Sequence, residues 1–505
     1  MSRALGAALA GVDGVVVEVE VRISSQLPRV DVVGLPEATV RESAARVRAA
    51  IASSGGSFPD RRVTVNLAPA ELRKGGAALD LPIAVGILTA AGALESPQVE
   101  AVGLVGELAL DGRLRPVRGA LALALALRAA GRKQLIVPSE NGPEAALAPG
   151  LCVLAAPNLA RVCEHLRGGE PLTPVPTPPA PPRPAEPDLS DVRGQERAKR
   201  ALLIAAAGGH ALLLRGAPGC GKSMLAARLR GLLPPLSREE ALEVTRIHGV
   251  AGQLPPHQPL VGARPFRAPH HTASTAGLLG GGPLPRPGEV SLAHRGVLFL
   301  DELPEFDRRS LEALRQVLEE GRVVVARARG TFSFPAHFQL VAAANPCPCG
   351  WRGSARRDCR CDDAAVARYA TRISGPLLDR IDLHLCLQPV GWSELDAPAA
   401  GATSSELRAC VLEARRRMQQ RSGAANAAIP DAVLDASVDA TPEARALLGR
   451  AVDRLGLSAR AARRVLKVAR TIADLAAERR TPPTAVAEAL GYRDDWTQPR
   501  GPWPT

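Results

Sequence analysis

Residues 210–223 read HALLLRGAPGCGKS, and the interpretation of this stretch decides that of the whole chain. Leu212, Leu213 and Leu214 form an apolar run of strand length, and a glycine-rich turn follows at once. From Gly216 through Ala217, Pro218, Gly219, Cys220 and Gly221 to Lys222 and Ser223, the turn satisfies G-x-x-x-x-G-K-[ST] at every defined position. The glycines let successive backbone N–H groups wrap a phosphate chain, Lys222 neutralises its outer oxygens, and the Ser223 hydroxyl ligates Mg2+. A helix opening behind the turn adds the positive end of its dipole. Cys220 fills a free position and is expected only to fit. Strand, turn and helix in this order predict an α/β core with a parallel sheet that binds ATP and magnesium.

Downstream, Val297–Leu300 reads as a second buried strand, ending in Asp301 and Glu302. An acid at that end suits the magnesium shell, and the next one suits polarisation of the attacking water. Two acids that merely end a strand are a poor alternative beside a complete phosphate loop. FQLVAAANP (338–346) is a third apolar strand, and its terminal Asn345 is placed to orient the lytic water and sense the γ-phosphate. Arg380, in SGPLLDRID, is a candidate arginine finger toward a neighbouring subunit's ATP. Arg460, in LSARAARRVL, opens a basic helix able to fold over the same nucleotide. A solvated face or a local salt bridge stays open for either arginine.

The segment AANPCPCGWRGSARRDCRC (343–361) holds four of the nine cysteines. Nine residues separate Cys349 from Cys359, so Cys347, Cys349, Cys359 and Cys361 can converge on one Zn2+. The pairs are C-x-C rather than C-x2-C, and unliganded thiols remain the alternative. Such a metal would be structural, bracing the loop between Asn345 and Arg380. The odd cysteine total argues against a secreted disulfide framework and for a reducing cytoplasm.

PLTPVPTPPAPPRPAEP (171–187) has nine prolines in seventeen positions and marks a domain boundary. It divides an α/β domain (1–168) and linker (169–188) from the nucleotide core (189–395), a helical domain (396–492) and a tail (493–505). In the first domain GVVVEVEVRI (14–23) and RRVTVNLAP (61–69) read as strands, and residues 39–55 and 80–91 as helices. A net charge of +12 suits a polyanion, whether nucleic acid or an anionic membrane surface. No stretch approaches the ~20 apolar residues of a membrane span.

PFRAPHHTASTAGLLGGG (265–282), RPGEVSLAHRGVLFLDELPEF, FPAHFQLVAAANPCPCG, RISGPLLDRID and LSARAARRVLKVARTIADL together resemble the ComM/YifB family of magnesium-chelatase-like AAA+ ATPases. The resemblance runs over nearly the whole chain. It implies a hexameric ring with ATP at subunit interfaces, working as a branch-migrating DNA helicase of natural transformation. It also implies sensor and finger roles for Asn345, Arg380 and Arg460, a Lon-protease-like α+β N-terminal domain, and a C-terminal helical lid. In related ring helicases the hairpin before the sensor strand enters the pore. In RVVVARARGTFSFPA (322–336) that would turn Arg327 and Arg329 toward DNA phosphates, the alternative being an ordinary exposed hairpin. Only 3% aromatic residues favour backbone tracking over base readout.

A Lon-type protease needs a serine nucleophile and a lysine to activate it. Alignment with the family's loops puts Ala78 and Leu121 in those places, and neither can do the chemistry. Two other functions compete with the DNA motor: a magnesium-chelatase motor subunit and an ATP-dependent protease. The front domain argues against the first, the missing Ser–Lys pair against the second.

Overall fold

The computed structural model describes residues 1–493 apart from 36, 71–75, 183, 256–257, 283–284, 328–329, 355–356 and 397–400. The alternation of residues 14–23 does what period two demands. Val17, Val19 and Val21 share one buried face of the strand Asp13–Ser24. That strand pairs antiparallel with Ser2–Ala10 through a turn at Gly11 and Val12, where Gly11 takes φ +68°. They lie inside a seven-stranded mixed sheet, in the order Arg29–Val33, Arg62–Ala68, Asp13–Ser24, Ser2–Ala10, Val102–Leu104, Gln134–Pro138, Cys152–Ala156. Helices Ala38–Ser53 and Asp80–Ala90 cover one face of this sheet, and Ala120–Ala129 covers the other.

The proline-rich segment is laid against both neighbours. Leu172 is buried in the N-terminal core, and the Val175 N–H donates to Val153 O at 2.8 Å along the sheet edge. Further on, Glu186 pairs with Arg230 at 2.6 Å. An edge strand is where proline-rich backbone can attach, because the edge needs donors on alternate residues only.

The second domain is built on a five-stranded, all-parallel sheet: Phe266–Arg267, Val297–Leu300, Gln339–Ala344, Leu212–Arg215, Leu383–Cys386. Its strands are apolar runs because both faces are covered. Leu212, Leu214, Phe299 and Val341 pack toward helices Glu196–Gly208 and Lys222–Leu232, while Leu213, Leu298, Leu300 and Leu340 face Arg308–Glu320. The strand carrying Asn345 lies between the phosphate-loop strand and the strand of the two acids, so three site elements end side by side.

From residue 404 on, the structure is helical. Helix Ala459–Leu475 buries Val465, Val468, Ala469 and Ile472 on the same core that holds Glu196–Gly208. The two α/β domains meet where helix Ala120–Ala129 packs on Arg238–Ala251, with Arg246 paired to Asp13 at 2.7 Å. Among the described residues no helix is long and apolar enough to cross a membrane.

Candidate ATP-hydrolysis site

The phosphate loop closes over Cys220. A Cβ on Gly216 would stand 2.6 Å from the Cys220 sulfur, so the loop's first glycine and its free position fit as a pair. Lys222 begins helix Lys222–Leu232. Its ammonium donates to Gly216 O at 2.7 Å, Ala217 O at 3.1 Å and Asn345 Oδ1 at 3.0 Å. The Ser223 hydroxyl donates to Asp301 Oδ2 at 2.7 Å, which brings the two magnesium candidates together. The Asp301 Oδ1 accepts from the Glu302 N–H at 2.9 Å.

Glu302 holds a left-handed backbone, φ +52° and ψ +46°. A non-glycine residue there costs on the order of 1 kcal/mol, and its carboxylate is thereby turned out over the strand end. Glu302 Oε2 lies 3.1 Å from His271 Nδ1, and the His270 ring is tilted against that of His271 with centroids 4.1 Å apart. His271 reaches this place because Phe266–Arg267 pairs in parallel with Val297–Leu300, so both strands end at the same edge. Sequence reasoning did not assign His271 a role. The available signal was a histidine pair four residues past a short strand, and it gains meaning only once strand order is known.

Asn345 is tied from two further sides. The Tyr369 hydroxyl lies beside its backbone, with a pKa pushed up by burial and by Glu305. Arg215 Nη2 donates to the adjacent Pro346 O at 3.3 Å. Lys222, Ser223, Asp301, Glu302 and Asn345 therefore share one crevice at the carboxyl ends of the parallel strands, where open α/β sheets bind ligands.

The arginines stand elsewhere. Arg380 is buried, donates to Pro376 O at 2.6 Å and pairs with Glu319 of the same chain. Arg460 is exposed on the first turn of its helix. Among the described residues, no hydrogen bond or ion pair joins either arginine to the crevice. Arg322–Arg327 and Gly330–Pro335 form the expected antiparallel hairpin. Arg329 and the side chain of Arg327 lie outside what the structure describes.

The four cysteines of the 343–361 segment do converge. Their sulfurs all lie within 4.8 Å of one another. The Cys347–Cys349 separation is 3.4 Å, and Cys347–Cys359 and Cys349–Cys359 are both 3.6 Å. A disulfide would bring two of them to about 2.05 Å. Four thiolates around one ion at about 2.3 Å give edges near 3.8 Å, which is the observed scale. Against burial, N–H groups of Arg360 and Trp351 and the neighbouring sulfurs lower the Cys349 thiol, while burial and its own neighbouring sulfurs push Cys359 up. The cluster can hold a metal ion.

Fold and crevice define a P-loop nucleotide hydrolase of the AAA+ kind. The family model for magnesium chelatase, subunit ChlI, matches residues 188–395, that for subunit ChlI of Mg-chelatase matches 19–141, and the ChlI C-terminal model matches 401–493. Competence protein ComM of Haemophilus influenzae is 44% identical over 493 residues, 96% of this chain and 95% of that protein. YifB of Escherichia coli K12 is 46% identical over 488 residues, again 96% and 95%. A magnesium-chelatase 38 kDa subunit of Acidiphilium rubrum is 30% identical over 177 residues, only 30% of this chain. The chain belongs to the ComM/YifB family of magnesium-chelatase-like AAA+ ATPases.

Proposed function

We propose that this chain is a cytoplasmic, ATP-driven ring motor acting on DNA, a branch-migration helicase that supports integration of incoming DNA in natural transformation and homologous recombination. The observation that carries this reading is the near end-to-end match to a competence protein, whereas the magnesium-chelatase 38 kDa subunit of Acidiphilium rubrum aligns over 30% of the chain. The charge of +12 and the 322–335 hairpin support a polyanionic track.

In this reading the phosphate loop cradles ATP, and Lys222 leaves its carbonyl partners for the β- and γ-phosphates. Ser223 and Asp301 would hold Mg2+, which supplies charge neutralisation at the β- and γ-oxygens. Glu302 accepts a proton from the attacking water, and Asn345 fixes that water at the γ-phosphate. The subunits form a hexamer with ATP at each interface. Arg380 acts on the neighbour's nucleotide, so assembly must draw it away from Glu319. Arg460 closes over the nucleotide from the C-terminal helical lid, while Arg327 and Arg329 track the DNA backbone. The N-terminal domain is a Lon-like fold that guides DNA or supports the ring. The residues at the aligned nucleophile and lysine positions, Ala78 and Leu121, are buried hydrocarbon. Zinc is the ion assigned to the four cysteines, on thiolate softness and tetrahedral spacing.

The test is ATP turnover with three additions: a branched or single-stranded DNA, a porphyrin with chelatase partners, and casein. Stimulation by DNA alone supports the proposal. Stimulation by either of the others and not by DNA overturns it in favour of a chelatase motor or a protease-like remodeller.

A further inference from the structure

We propose that the four-cysteine cluster is a positioning element of the ATPase centre, in which bound zinc clamps the Cys347–Gly350 turn against the phosphate loop and thereby keeps Asn345 on Lys222. This rests on the zinc assignment above and goes beyond it. A brace for a distant loop would leave the nucleotide crevice alone, whereas this cluster leans on it.

The path is short. Cys347 follows Asn345 with only Pro346 between them, and it is completely buried. The Gly350 N–H donates to Cys347 O at 2.9 Å and closes a turn around Cys349. At that turn Gly350 takes φ +84°, and a Cβ there would come within 2.8 Å of the Pro218 ring. So the turn that carries two of the four sulfurs touches the phosphate loop itself. Just past it, Trp351 and Arg357 face Ala217–Cys220 across a cavity of about 220 Å3, with the Arg357 guanidinium 5.5 Å from the indole centroid.

Cys359 and Cys361 bring the far end of the segment back onto this turn. Four metal–sulfur bonds close the intervening loop and offset its closure entropy. Zinc displaces the thiol protons as it binds, so the closed form belongs to the metal-loaded chain. The Asn345–Lys222 contact of 3.0 Å tolerates little drift. A displacement of about 1 Å at a catalytic group costs up to roughly 100-fold in rate.

The experiment compares four forms of the full chain: as purified, stripped with a chelator, Cys359→Ser/Cys361→Ser, and Gly350→Ala. Each is measured for zinc content, affinity for a non-hydrolysable ATP analogue, and kcat. About one zinc per chain is expected in the purified protein and in Gly350→Ala, and little in the other two. The stripped and double-serine forms should bind the analogue within a few-fold of wild type yet turn over at least about tenfold more slowly, a loss confined to the hydrolytic step. Zinc should restore the stripped form only. Gly350→Ala should lose turnover with its zinc in place, because the added methyl pushes the turn off Pro218. Full turnover by stripped protein that had carried zinc, or by Gly350→Ala, overturns the positioning role and leaves the zinc assignment standing. A metal-free wild type, with a double-serine variant of unchanged unfolding temperature, overturns the assignment itself.

Discussion

The two α/β domains pack against each other, yet they treat buried polar groups in opposite ways. Beside Ala78, between the two domains, lies a cavity of about 450 Å3 lined by Ala8, Leu9, Val17 and Phe332 and also by Glu107 and Arg118. The crevice of the second domain pairs Lys222 with Asn345, Ser223 with Asp301, and His271 with Glu302. Buried acids follow the same division. Glu144, whose carboxylate accepts the Leu121 N–H, is pushed up to about 7 by burial. Asp382 is buried more deeply than Glu144, but His210 and Arg464 outweigh that burial and hold it well below the usual carboxylate range. At the two aligned dyad positions the first domain holds the hydrocarbon of Ala78 and Leu121. The second is wired for charge.

The deepest cut should come from the crevice. Lys222→Ala and Glu302→Gln should both abolish ATP turnover, but they should part on binding. The lysine variant loses a phosphate contact and binds weakly, while the glutamine variant keeps the pocket and traps ATP. Equilibrium binding of labelled ATP beside phosphate release checks both, and near-normal hydrolysis by Glu302→Gln would show that the wired domain works through another base.

Next comes Arg380, where the structure shows an internal pair and the proposal requires a partner in trans. Arg380→Ala should lower turnover by about 10³-fold, the scale of arginine fingers. Mixing Arg380→Ala with Lys222→Ala subunits should restore part of the activity, at interfaces where an intact pocket meets an intact finger. Mixed rings that exchange subunits and stay dead at every ratio would leave only the Glu319 pair.

Buried charge gives the third test. Glu144 ordinarily titrates near 4.5 and is raised to about 7 in the folded chain, so the folded state binds the extra proton between those values. Its stabilising contribution is complete below pH ~4.5, is lost as pH rises through about 7, and stays lost above. The full excursion is on the order of 3 kcal/mol. Glu144→Gln should therefore gain on wild type in urea unfolding as pH goes from 5 to 8. Asp382 is shifted the other way, and its contribution is lost only in acid. An equal pH profile for variant and wild type would erase this contrast between the domains.

The smallest effect belongs to His271. Removing a polar contact that steers Glu302 is worth about 1.5 kcal/mol. His271→Ala should lower kcat about tenfold without changing ATP affinity, and an unchanged kcat would make the 3.1 Å contact incidental.

What the sequence disclosed follows the same division. Phosphate chemistry demands fixed residues at fixed spacing, so Gly216–Ser223 and Asp301–Glu302 stand out as candidates before any fold. Period two and period 3.6 exposed the strands and helices of the first domain, with elements at Asp13–Ser24 and Ala38–Ser53 close to where alternation put them. Contacts that depend on strand order were not readable. The His271–Glu302 approach and the Asn345–Lys222 bond arise because separate segments end at one sheet edge. Nor was the Arg380–Glu319 pair, which joins residues sixty-one positions apart through helix packing. The cysteine spacing showed that four sulfurs can meet, but not that their turn rests on Pro218.

The proposed function requires that hydrolysis in this crevice drive movement on DNA. The most direct measurement is strand exchange in a synthetic three- or four-way junction by purified protein, followed with ATP, with a non-hydrolysable analogue, and with Lys222→Ala. Junction migration with wild type and ATP only is the predicted result. Vigorous ATP hydrolysis on that junction with no strand displaced, or displacement that persists in Lys222→Ala, would contradict it.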